Sequence, residues 1–175
     1  MLVKKLAAAA AAAVVMSTTG FGASAAEIVV NGSTTVLPIV QKALEGYSHE
    51  AGAAAISLSG GGSGNGIKAL IDGLTDVAMS SRDIKTSETD LAKLRGVTPY
   101  RIPVAVDAIV PVVNNANPVK YVTLATLIAI YEGKIRNWKD VGGKNAPIVV
   151  VSRDSSSGTV ETWEELVMKK ARVTP

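Results

Sequence analysis

Ser59 to Lys68, SGGGSGNGIK, is the stretch on which the fold turns. Before it, Ala55, Ile56 and Leu58 give the short apolar alternation of a strand. After it, Ile67, Ala69, Leu70 and Ile71 open an amphipathic helix. A strand that ends in glycines and then starts a helix makes an anion site. Glycine lets a ligand approach the backbone, and the first helical N–H groups have no acceptor within the helix. The alternative is a flexible Gly/Ser linker, which rarely has ordered elements against both ends. Nucleotide motifs fit badly. Gly62 to Lys68 lacks the GK[ST] ending of a P-loop, and no G-x-G-x-x-G can be read in any register. The stretch points to an oxyanion and away from a nucleotide.

Residues 1–26 read as a secretory signal peptide. Lys4 and Lys5 form a positive start, Leu6 to Met16 is an apolar run of 11 residues, and Ala23 to Ala26 supplies a small-residue cleavage site. Setting them aside leaves 16 basic residues against 15 acidic, from 18 and 15 in the whole chain. A balance near +1 gives no support for nucleic acid or an anionic membrane as a partner. There is no cysteine, so neither a disulfide nor a lipid-modified cysteine is available. The expectation is a freely soluble periplasmic protein, monomeric, whose fold rests on its apolar core.

Working outward, Glu27 to Val30 reads as a first strand ended by Asn31-Gly32. Ser33, Thr34 and Thr35 are candidate caps for a helix carrying Val36, Ile39, Val40, Ala43, Leu44 and Tyr47. Pro38 fits near the start of that helix. Asp76 to Met79 reads as a buried strand ending in Ser80-Ser81-Arg82, and Ser87 as the cap of a polar helix closed by Gly96. Pro99 to Val113 is rich in Val and Ile but broken by Pro103, Asp107 and Pro111, which suits edge strands or a crossing between domains. Domains are therefore expected at residues 27–106 and 107–175. In the second, Thr123 starts a helix that stops at Gly133, Trp138 packs under a loop, and Ile148 to Val151 forms an apolar strand. Val160 to Lys170 is a last helix, with Trp163 packed on it. Strands alternating with helices make this an α/β protein with substantially parallel sheets.

Four polar turns then share one design: Gly32 to Thr35, Gly60 to Gly66, Ser80 to Arg82, and Arg153 to Thr159. In open α/β sheets ligands bind beyond the strand C-termini, where such turns gather. Each turn offers hydroxyls and N–H groups, and two add a guanidinium. An excess of donors with arginine describes a site for a small tetrahedral anion. Taken singly, the serines and threonines are ordinary caps, and Arg82 and Arg153 are surface charges paired with Asp83 and Asp154. Catalysis finds less support. His49, the lone histidine, lies among Ser48 and Glu50 near a helix end and reads as solvated. No G-x-S-x-G elbow occurs, and none of the turns places metal ligands at suitable spacing. No cofactor is called for.

With these residues in view, the chain resembles the phosphate-binding proteins of ABC importers, a periplasmic substrate-binding family. The motifs that carry the resemblance are GSTTVLP, SGGGSGNGIKAL, DVAMSSRDI, NPV…IYEGKIRNWKDVGG and SRDSSSGTVETW, from about Ile28 to Lys170. The resemblance implies a type II clamshell of two α/β domains closing on inorganic phosphate. It also implies delivery of that phosphate to permease subunits in the inner membrane. By position, Thr34 and the Thr35 amide match phosphate ligands of the first domain. Ser63 matches the serine at the helix start, and Arg153, Ser157, the Gly158 amide and Thr159 match ligands of the second. The family's better-known members carry an aspartate where Ser81 stands, and it accepts the proton of phosphate while repelling sulfate. Ser81 carries no charge, so it is expected to fill that position with Arg82 adding positive charge. Another oxyanion, sulfate, molybdate or tungstate, stays open as the ligand, and a secreted phosphatase or other hydrolase is the reading from a different class. In the family the chain completes domain two and returns to domain one. The chain here stops at Pro175, right after the Val160 to Lys170 helix of the second domain, so a piece of a longer protein is expected.

Overall fold

The computed structural model describes residues 27–169 and Val173, so the expected signal peptide and Lys170 lie outside the described residues. Three strands form one parallel sheet in the order β2-β1-β3. They are β1 (Ile28–Gly32), β2 (Ile56–Gly60) and β3 (Val77–Met79). Between them run α1 (Leu37–Tyr47) and α2 (Ser63–Ile71), followed by α3 (Thr86–Leu94), α4 (Leu124–Tyr131), a short 3-10 turn (Trp138–Val141) and α5 (Gly158–Leu166). The α/β class and the parallel sheet agree with the sequence reading.

The register matters most. Gly32 lies opposite Gly60 on one side and opposite Met79 on the other. All three strands thus stop on one row, and the turns that follow them open on the same edge of the sheet. Ser33 shapes the first turn: its Oγ accepts from the N–H groups of Thr35 and Val36 at 3.2 and 3.3 Å. Beneath the sheet, Ile67 and Ile71 of α2 pack with Ala92 of α3, flanked by Ile84 and Val97. Val30 and Met79 are buried alongside.

The helix starts differ in detail from the sequence reading. Helix α3 begins at Thr86, not after Ser87. Its start is set by Glu88, whose carboxylate accepts the Lys85 backbone N–H at 2.8 Å. The same carboxylate takes both terminal nitrogens of Arg82 at 2.8 Å. Burial alone would raise the Glu88 carboxyl, but the Arg82 and Lys85 hydrogen bonds outweigh it and hold it below the ordinary range. Thr123 caps α4 as expected, accepting from Thr126 N–H at 3.1 Å.

The strand expected at Ile148 to Val151 does not form, and of the two readings of Pro99 to Val113, edge strands or a crossing, the strands are not seen. Ile148 to Val151 is not part of any sheet. A single bridge joins Asn137 to Pro147, and Val149 and Val151 are 78% and 82% exposed. Pro99 to Val113 is likewise without regular structure, with Val106 fully exposed. Apolar, β-branched residues favour an extended backbone, yet a strand exists only where a neighbour accepts its N–H groups and donates to its carbonyls. Among the described residues neither segment has such a ladder.

Two outcomes follow from this packing. Ile71→Ala, at a site only 3% exposed, should cost about 2–4 kcal/mol in urea unfolding; a loss under about 1 kcal/mol would show the α2–α3 core to be loosely packed. The Glu88 tie gives stability that is fully present above the ordinary carboxyl value of about 4.3 and is lost as pH falls through its lower folded value. Urea midpoints of Glu88→Gln should therefore change less between pH 5 and pH 3 than those of the unaltered chain, on the order of one carboxylate's contribution. Parallel curves would contradict this assignment.

Candidate anion site

The site lies where the N-termini of α2 and α5 meet the turn after β3. Gly62 precedes α2 with φ of 96° and ψ of 154°, a conformation in which a side chain is strained. A Cβ there would also lie 2.4 Å from Ser156 Oγ. The carbonyl of Gly32 holds this turn against the end of β1, accepting from Gly61 and Gly62 N–H at 2.8 and 2.9 Å. Ser63, the first residue of α2, is completely buried. Its Oγ accepts from the Ser81 N–H at 3.1 Å and lies 3.2 Å from Ser81 Oγ.

Helix α5 comes in from the other side. Gly158 fits against the two serines so closely that a Cβ on it would lie 2.4 Å from Ser63 Oγ and 2.7 Å from Ser81 Oγ. Ser157 before it is 3% exposed and receives no hydrogen bond that would make its side chain a cap. Thr159 Oγ1 is 3.3 Å from Thr35 Oγ1, and Arg153 Nη2 donates to Thr34 Oγ1 at 2.7 Å. Residues separated by more than a hundred positions in the chain are thus direct neighbours. The first N–H groups of α2 and α5 have no intrahelical acceptors, so each helix presents donors and the positive end of its dipole to this corner.

Eight of the nine residues picked out from sequence are at this junction: Thr34, Thr35, Ser63, Ser81, Arg153, Ser157, Gly158 and Thr159. The Thr35 N–H is already turned to Ser33 Oγ, at 3.2 Å. Arg82 stands at the edge with both terminal nitrogens bonded to Glu88. Besides Glu88, its Nε makes an ionic contact of 2.7 Å with Glu161 Oε2, at an angle too poor for a hydrogen bond. The paired carboxylates raise the guanidinium above its ordinary value, the Glu88 hydrogen bonds first among causes. Its charge is balanced by Glu88 and Glu161, not by Asp83. Arg153 does not pair with Asp154 either. That carboxylate accepts from the hydroxyl and N–H of Ser156, which hold it below the usual range. His49 is exposed in the turn after α1.

Two residues were missed. Ser156 ties the two sides together: its carbonyl accepts from Gly64 N–H at 3.1 Å, and its Oγ lies 3.1 Å from Gly61 O, which shares the single hydroxyl proton with the Asp154 carboxylate. Glu161 reaches across from α5 to Arg82 and Lys85. In sequence Ser156 is one serine among three and Glu161 one acid in a helical first turn, so neither carried a signal. Behind α5, Trp163 is 7% exposed and packs against Tyr131 with ring centroids 4.8 Å apart and planes tilted by 41°. They line a cavity of about 180 Å³ that also touches Ile109, Val151, Arg153 and Thr159.

Proteins of known name and structure are similar to this chain. Residues 17–174 match the model of the PBP superfamily domain. The chain is 38% identical over 142 residues to the phosphate-binding protein PstS of Staphylococcus epidermidis, covering 79% of this chain and 44% of that one. It is 32% identical over 154 residues to protein SphX of Synechococcus elongatus, covering 85% and 46%. Among solved structures it is similar to a phosphate ABC transporter substrate-binding protein with bound phosphate from Clostridium perfringens. That pair shares 37% identity and a TM-score of 0.72, covering 81% of this chain and 56% of the other. An ABC-type phosphate transport receptor from Vibrio cholerae gives 33% identity and a TM-score of 0.58, covering 81% and 55%. The chain thus spans about half the length of its relatives. On its motifs, its fold and the match over residues 17–174, the chain belongs to the PBP superfamily.

Proposed function

We propose that this chain binds inorganic phosphate in the periplasm, as a monomer, and delivers it to the permease subunits of an ABC importer. One observation carries the reading: donors from α2, α5 and the turns after β1 and β3 converge on a single corner with Arg153 beside them. Residues 27–106 act in one α/β domain of a clamshell and residues from 107 onward in the other. Thr34, Ser63, Ser81, Arg153, Ser157, Gly158 and Thr159 supply the donors, with the Thr35 amide able to share its bond with Ser33. Arg82 supports the site from the side, not as a ligand, because Glu88 and Glu161 hold it.

Each hydrogen bond to a charged oxygen contributes about 1.5–3 kcal/mol, so a handful exceeds association costs of several kcal/mol and supports a Kd on the order of 1 µM. The chemistry asked of the protein is recognition alone. Similar proteins are named a phosphate-binding protein and a phosphate transport receptor. No helix among the described residues is long and apolar enough to cross a membrane.

A second reading has its own observation. Ser81 meets Ser63 and Gly158 at the centre of the corner, where a carboxylate would demand a proton from the ligand. A hydroxyl makes no such demand, so sulfate or molybdate competes on nearly equal terms. Calorimetry separates the readings. Phosphate should bind one per chain and tighter than sulfate and molybdate. Arg153→Met should weaken it by about 10- to 100-fold, the equivalent of one charged hydrogen bond, and Ser81→Ala by less. Absence of heat with phosphate, or an Arg153→Met titration that matches the unaltered chain, would overturn the proposal.

A further inference from the structure

Helix α5 touches the loop between β3 and α3 at two points on one of its faces. Gly158 lies against Ser81 Oγ, and Glu161, three residues further on, reaches Arg82 and Lys85 in the same loop. A spacing of three puts both contacts on the same side of the helix, one turn apart. The side chains are well sheltered: Arg82 is 7% exposed and Glu161 20%. Lys85 completes a neutral group of two cations and two carboxylates. The carboxylate of Glu88 is already used within its own helix start, where it accepts the Lys85 N–H. Glu161 is the member that comes from α5, and it sits in that helix's first turn.

This inference rests on the phosphate reading. We infer that Glu161 is a positioning residue for the anion site: gripped by Arg82 and Lys85, it pins the first turn of α5 so that the Gly158 and Thr159 N–H groups face Ser63 and Ser81. It does not touch the anion. Donors at a helix N-terminus attract an anion only when the helix end is aimed at it. Without Glu161, α5 is held to this side only by contacts at its very start, from Arg153, Ser156, Gly158 and Thr159, and a smaller fraction of chains has the helix end aimed at the anion. Apparent affinity then falls in proportion to the fraction of chains already in the competent arrangement. Loss of the grip also speeds release, because the tie that keeps the two sides together is weaker.

The test is a stopped-flow and calorimetric comparison with inorganic phosphate. Glu161→Gln keeps the shape and removes the charge. It should weaken phosphate by about tenfold, mainly through faster release, with thermal unfolding of the phosphate-free protein nearly unchanged. Lys85→Met, at a half-exposed site, should act in the same direction, and the double variant should be weaker by less than the product of the two effects. Glu161→Asp should recover part of the loss, and Glu165→Gln, exposed on the same helix, should have no effect. Unaltered affinity and release in Glu161→Gln would overturn the inference. So would a lowered unfolding temperature with an unchanged release rate, since that describes a merely structural residue. If the unaltered chain fails to bind phosphate, the parent reading falls and takes this one with it.

Discussion

Parallel pairing of β1 with a neighbour on either side is the constraint on which the site depends. It places Gly32, Gly60 and Met79 on one row, so that three successive turns open onto the same edge. A slip of two residues along β2 is the smallest that keeps its faces in place, and it would carry Ser63 away by roughly 7 Å. No hydroxyl could then lie within hydrogen-bonding reach of the Ser81 N–H from that helix. The site is accordingly a property of the sheet register before it is a property of any side chain.

Helix α5 supplies the other half, and contact with it is set by size as much as by charge. Only a residue without a side chain can approach Ser63 and Ser81 as Gly158 does. Ser156 and Arg153 reinforce that approach by bonding to Gly64 and Thr34. Electrostatically the corner is restrained. Arg82 and Lys85 are balanced by Glu88 and Glu161, leaving Arg153 and the helix ends as the sources of positive potential. Neutral donors in number, with few free charges, suit a small, symmetric, multiply hydrogen-bonded anion.

What could be read from the sequence was local. The glycines of Ser59 to Lys68, the cap before α4 and the strand–turn–helix recurrence were legible because each is decided within a few residues, whereas α1 starts after Val36 with no side-chain cap from Ser33, Thr34 or Thr35. What could not be read depended on distant partners. Arg82 has Asp83 beside it in sequence, yet its carboxylates come from Glu88 and from Glu161. Ile148 to Val151 has the composition of a strand, but composition says nothing about whether a neighbouring strand is there to pair with it. Ser156 shows the same limit in miniature, since only the fold distinguishes it from Ser155 and Ser157. The convergence of the turns was inferred from their recurrence and required the structure to become a set of distances.

The central claim is that the N-terminal N–H groups of α2 and α5 together form an anion cradle. A phosphate titration followed in amide proton–nitrogen correlation spectra tests it most directly. The account predicts saturable downfield shifts of the Ser63, Gly158 and Thr159 amide protons, all with one dissociation constant, while amides at the far end of α3 around Leu94 stay in place. Shifts confined to one helix, or spread over exposed lysine and arginine segments without saturation, would contradict it.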